Sequence, residues 1–203
     1  MIKNFLVNFL VKMMPRQQHN DGFTLIEMVV VIAIIAISLS MAVPNLMLWF
    51  DNLSVKAAAR DLYSAMQEAR MMAVEQNAST AIVFDTSNSS YYICSDPGDD
   101  GNWGSAGDMT GTGDNGIERR VSLLSYKNKV RFGKGNANSP VGSTFGDSIT
   151  YPSPDNVLVV NSKGTGNGGY VYLTNPNNGT AYAVGTQSSG LVKLLKWYGT
   201  EWK

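Results

Sequence analysis

The stretch from Phe23 to Phe50 contains no lysine or arginine and one acid, Glu27. At about 1.5 Å per helical residue, Phe23–Val43 reaches about 30 Å, the hydrocarbon thickness of a bilayer. Ahead of it lie Lys3, Lys12 and Arg16, with no acid until Asp21, and the next basic residue after it is Lys56. Positive charge on that side alone predicts the amino end in the cytoplasm and the rest of the chain across the membrane. No small-x-small pattern follows the apolar run, so a removable secretory signal fits poorly. Pro44 removes one backbone donor and crowds the carbonyl of Ser40, so a helix break is expected there.

Glu27 conflicts with its surroundings. A carboxylate this deep in lipid costs about 2.5–3.5 kcal/mol on insertion scales. Two readings lower that cost. The side chain can snorkel to the headgroups from its place near the helix start, or a nearby cation can neutralise it.

Residues 52–77 continue at helical period. Val55, Ala58, Ala59, Leu62, Ala65, Met66, Ala69, Met72 and Ala73 form one apolar stripe, with Lys56, Arg60, Glu68 and Glu75 mostly opposite. The stripe is rich in alanine, which permits close approach to a sheet, and its methionines read as core filling. The pattern stops near Asn77.

Beyond that point the period becomes that of strands: 80–86, 90–96, 117–126 and 128–135, then 156–164, 168–176, 180–186 and 190–199. No second helical pattern appears, so parallel βαβ units are not expected. The fold expected is α+β: a long amino-terminal helix, membrane-embedded in its first half, packed on an antiparallel β-domain of one or two small sheets. The organisation predicted is 1–22 leader, 23–50 membrane segment, 51–77 amphipathic helix and 78–203 β-domain.

The string "GFTLIE" followed by the apolar run resembles the prepilin signature of type IV pilins and type II secretion pseudopilins. That resemblance implies cleavage between Gly22 and Phe23 by a prepilin peptidase and methylation of the new Phe23 amine. It also implies a role in assembly for Glu27 and Thr24, the glutamate binding the amino terminus of a neighbouring subunit. Further on, "YYICSDPGDDGNW", "VLVVNSKG", "YVYLTN" and a closing Gly-x-x-Lys strand resemble the GspH/FimT-type minor pseudopilin domain. Members often carry a second cysteine downstream of the one matching Cys94; this chain has only Cys94, so the loop after it must be held otherwise.

Other motifs invite different chemistry. "GTGNGG" (164–169) satisfies the dinucleotide pattern G-x-G-x-x-G, but a strand follows where that motif needs a helix amino terminus, so a flexible hairpin loop is expected. The loop 96–116 gathers Asp96, Asp99, Asp100, Asp108 and Asp114. Calcium favours such oxygens, yet the spacing misses the EF-hand template, and a solvated loop is the competing reading. Lys193 and Lys196, with Trp197, Tyr198 and Trp202 nearby, suggest phosphate contact and base stacking; the alternative is core aromatics beside solvated lysines. DNA-uptake relatives have Gly-Arg-x-Arg here, whereas this chain has Gly190-Leu191-Val192-Lys193. Loss of the leader would lower the 16 basic and 16 acidic residues to 13 and 15, which makes nucleic acid an unfavoured partner. His19, the only histidine, would leave with the leader, so histidine-based triads cannot be built.

The sequence therefore predicts a non-enzymatic structural subunit without cofactor: a minor pseudopilin or pilin supporting secretion or pilus biogenesis. Its expected partners are other pilins, a prepilin peptidase and an inner-membrane assembly platform, with the β-domain periplasmic. The alternative is a tip subunit binding DNA or a surface.

Overall fold

A computed structural model describes residues 22–99, 101–104, 115–126, 130–142, 144–146, 148–151, 156–177 and 179–203. The expected leader as far as Asp21, with His19, and the acids Asp100, Asp108 and Asp114 lie outside the described residues. The chain divides into two compact units, one ending at Pro44 and one comprising Asn45–Lys203.

In the first unit every residue from Gly22 to Pro44 is exposed. Helix α1, Leu25–Gln76, begins in this unit and includes Pro44, which corrects the break expected at that residue. One proline removes a single i→i−4 bond. Ala42, Leu46, Met47 and Leu48 around it are good helix formers, so the rest of the ladder persists.

In the second unit the predicted stripe is the buried face. Val55, Ala58, Ala59, Leu62, Ala65, Met66, Ala69 and Ala73 are at most 1% exposed, and Met72 packs beside them. Full burial of a side chain such as Leu62 or Met66 stabilises by about 1.5–3 kcal/mol. The alanines leave no room, so a larger residue at Ala65 or Ala69 would overpack the contact. Asn77, at φ +50°, ends the helix. The Asn77 N–H donates to Val74 and the Ala78 N–H to Ala73, a Schellman closure that satisfies two terminal carbonyls. The Thr80 hydroxyl then donates to the Ala69 carbonyl at 2.7 Å, tying the first strand back to α1.

All eight predicted strands exist: β1 Thr80–Asp85, β2 Ser90–Asp96, β3 Gly116–Ser122, β4 Arg131–Phe132, β5 Val157–Val160, β6 Gly169–Thr174, β7 Ala181–Thr186 and β8 Val192–Lys196. A 3-10 turn, Leu123–Ser125, occupies the end of the third predicted segment. The strands form two antiparallel sheets, ordered β3-β2-β1-β5 and β4-β6-β7-β8. Thus β5 returns to the first sheet and β4 belongs to the second, against chain order.

Inward residues of both sheets share one core with α1, among them Ile82, Ile93, Leu158, Val171, Leu173 and Val184. Phe84 of the first sheet stacks on Tyr151 at 5.7 Å and meets Phe132 of the second edge-on. The far face of the first sheet carries a smaller cluster of Ala81, Val83, Tyr92, Cys94 and Val157, covered by Trp103. Asn115 donates to the Trp103 carbonyl at 2.7 Å, and Ser95 donates to Glu118 at 2.6 Å. These contacts hold the base of the loop in which relatives often place a second cysteine.

"GTGNGG" closes an antiparallel turn back onto β5, the hairpin expected there, and it is packed before the chain passes to the second sheet. Gly166 bridges to Val160. The Asn167 side chain lies along β5, and the Thr186 hydroxyl donates to the Asn167 carbonyl at 3.0 Å. No helix follows; the next element is β6, so the phosphate-binding geometry is missing.

Candidate processing and assembly site

The described residues ahead of α1, 22–24, are open to solvent. A Cβ built on Gly22 would meet no atom within 4 Å, and Phe23 is 74% exposed. Thr24 is the N-cap: its carbonyl accepts from the Met28 N–H at 3.2 Å and its hydroxyl oxygen from the Glu27 N–H at 3.3 Å. Glu27 is therefore the third helical residue, where the unpaired N–H groups of the first turn favour negative charge. For a first-turn carboxylate that placement is typically worth about 0.3–1 kcal/mol. The Thr24-Leu25-Ile26-Glu27 string is a capping-box signature. This capping role is a feature that the pattern of residue types could have revealed and that the prepilin likeness obscured.

Past this cap α1 is apolar enough, at a mean hydropathy of 2.6 over its best window, to cross a membrane, and none of that window is buried. Gly22, Phe23, Thr24 and Glu27 thus gather at the head of one exposed apolar helix.

The other candidate residues are not brought together in this way. Lys193 and Lys196 sit three apart on β8, so strand alternation sends them to opposite faces of the second sheet. Val192 and Leu194, on the Lys196 side, contact the main core. The Lys196 ammonium lies 5.0 Å from the Tyr198 ring centroid. Trp197 packs with Ala137, Ala181, Phe145 and Trp202, and the Trp202 indole donates to the Ser139 carbonyl at 2.7 Å. Trp197 is core and Trp202 packs half-buried against it, while Tyr198 is 60% exposed. Two lysines on opposite faces do not form one phosphate-binding surface.

Asp96 accepts the Gly98 N–H at 3.1 Å, a local turn, and Asp99 is exposed beside it. Among the described residues no group of three His, Cys, Asp or Glu is placed to hold a metal. Cys94 is fully buried, and desolvation, with a smaller push from Glu118, raises its thiol pKa to about 11. At neutral pH it is a protonated core residue, not a nucleophile.

A capped, exposed apolar helix joined to a two-sheet α+β unit defines the class of pilin-like structural subunits. Residues 18–43 match the prokaryotic N-terminal methylation motif, and residues 58–190 match the type II transport protein GspH. That second match covers about two thirds of the chain, which belongs to the GspH family of structural pseudopilin and pilin subunits. The family and the apolar helix together fit a membrane-anchored, single-pass protein.

Among solved structures, the minor pseudopilin EpsH from the Type 2 Secretion System of Vibrio cholerae is similar, with 16% identity and a TM-score of 0.46. The match covers 70% of this chain and 97% of that one. The type IV minor pilin FimU of Pseudomonas aeruginosa is also similar, with 12% identity and a TM-score of 0.43, over 76% of this chain and 96% of that one. No curated protein sequence matches significantly.

Proposed function

We propose that this chain is a prepilin-type subunit, cut between Gly22 and Phe23, methylated on the Phe23 amine, and assembled with other pilins into a pseudopilus or pilus. The observation that carries this reading is the open Gly22–Phe23 junction set directly before a Thr24 cap and an exposed Glu27. A peptidase can reach a backbone lacking side-chain cover, and the first helical turn orients the carboxylate next to the cut.

In the bacterial inner membrane α1 holds the subunit, with the carboxyl-terminal unit in the periplasm. Glu27 in hydrocarbon favours any state in which a neighbouring terminal ammonium neutralises it. The assembled fibre supplies that cation and the lone subunit does not. An inner-membrane platform then draws the helices out as the fibre grows.

Mass spectrometry of the purified protein's amino terminus tests the processing step. Methylated Phe23 is expected, and an intact Met1 overturns the proposal. Glu27→Gln and Glu27→Val test the assembly step. Both should be processed normally but be depleted from sheared fibres by tenfold or more; wild-type incorporation would refute the charge pairing.

A further inference from the structure

The face of the second sheet that points away from the main core carries a partly exposed aromatic ring. Tyr170 of β6 stands opposite Gly185 of β7 in the strand register. A Cβ on Gly185 would lie 2.5 Å from Cδ1 and 2.7 Å from Cγ of the Tyr170 ring, so the ring lies over the bare glycine. Its side chain is half-buried, and its phenol makes no hydrogen bond to the described residues.

Beside the ring opens a cleft of about 450 Å³, within the size range of small-molecule sites. Its described lining includes Thr144, Thr150, Gln187 and Ser188 and carries no charged residue. The side chains of Thr144, Gln187 and Ser188 are exposed. Among the described residues none of the three is engaged in a hydrogen bond, whereas the Thr150 hydroxyl already accepts the Tyr170 N–H at 2.8 Å.

This combination narrows the ligand chemistry. A purely apolar ligand would strand three polar side chains away from water, an unfavourable exchange. An ion would find no opposite charge in the described lining. A neutral sugar matches both parts: its C–H face rests on an aromatic ring, and its hydroxyls exchange hydrogen bonds with hydroxyl and amide groups around it. We infer that this cleft binds a neutral saccharide, with Tyr170 as the stacking platform and Thr144, Gln187 and Ser188 as its polar rim. The inference does not depend on processing or fibre assembly.

The test uses the full chain in a detergent without a sugar headgroup. Saturation-transfer NMR is recorded with millimolar chitobiose, representing N-acetylated wall glycans, and with cellobiose and maltose, representing plain hexose polymers. Transfer to the ring C–H protons of at least one disaccharide is expected, and the one that responds identifies the source. Tyr170→Phe should retain affinity within about threefold, and Tyr170→Ala should lose at least tenfold. Should Tyr170→Ala lower the melting temperature, Gln187→Ala, on the exposed rim, carries the test with an expected loss of about threefold or more. Three results overturn the inference: no transfer with any of the three sugars, binding unchanged in both alanine variants, or anionic heparin bound as tightly as the neutral sugars.

Discussion

Asn167 grips Val159 at both ends of the residue: its Oδ1 accepts the Val159 N–H at 2.8 Å, while its own N–H donates to the Val159 carbonyl at 3.2 Å. Its Nδ2 also donates to the Val157 carbonyl at 2.7 Å. One side chain thus stands in for a missing strand along β5, an edge of the first sheet, and blocks that edge from pairing with other chains. Asn167→Ala removes two of these bonds and leaves partly buried backbone groups without partners. A loss of about 2 kcal/mol is expected, read as a lower denaturant midpoint with unchanged slope.

Two glycines with similar dihedral angles should respond very differently to alanine. Gly190 has φ +80°, and a Cβ there would lie 2.0 Å from the Gly164 carbonyl oxygen. Gly199 has φ +91° and open space around the same position. Gly199→Ala should cost only the backbone strain, about 1–2 kcal/mol. Gly190→Ala should cost at least about 3 kcal/mol or fail to fold, because the clash is with backbone. Thermal melting of the two variants provides the comparison.

Stability should fall in alkali through Cys94. Burial raises its pKa from 9.0 to about 11, so the folded state favours the thiol over the thiolate. Its stabilising contribution is complete below pH 9 and is lost as pH rises from about 9 to about 11. Cys94→Ala should flatten the decline in unfolding free energy between pH 8.5 and 10. Iodoacetamide should modify Cys94 in denaturant and spare it in the native protein at pH 8.

The ion pair between Arg119 of β3 and Glu68 of α1 should matter little. The two side chains are 48% and 43% exposed, so solvent screens the pair. A double-mutant cycle with Arg119→Ala and Glu68→Ala should give a coupling of about 0.2–1 kcal/mol, shrinking in high salt.

Much of this fold could be read from residue order. The Val55–Ala73 stripe gave the buried helical face because burial at period 3.6 depends only on residue type. The eight strands followed from β-branched and aromatic runs between turn residues. Their partners did not. Nothing local in "VRF" or "VLVV" indicates that β4 and β5 join opposite sheets, since pairing is set by contacts distant in the chain. Pro44 misled because a rule about one lost bond was extended to the whole helix. The glycines at 164–169 match the dinucleotide pattern for a reason of their own: Gly166 must lie against the Val159 carbonyl, where a Cβ would come within 2.1 Å.

At the amino terminus, Gly22, Phe23 and Glu27 were legible as a family string, and the Thr24 cap as a local pattern. Lys193 and Lys196 read as a pair only until strand alternation separated them. The Tyr170 ring over Gly185 lay beyond sequence reasoning, because it requires the β6–β7 register.

The exchange of β4 and β5 between sheets leaves the carboxyl-terminal unit without a seam. A nascent chain that stops before residue 157 has an incomplete first sheet, and deleting 131–132 strips an edge from the second. All four strands of the first sheet have emerged by residue 160, whereas the second waits for β8, so the core that both share with α1 closes only with that last strand. Protease cuts or insertions between the sheets should therefore unravel both together.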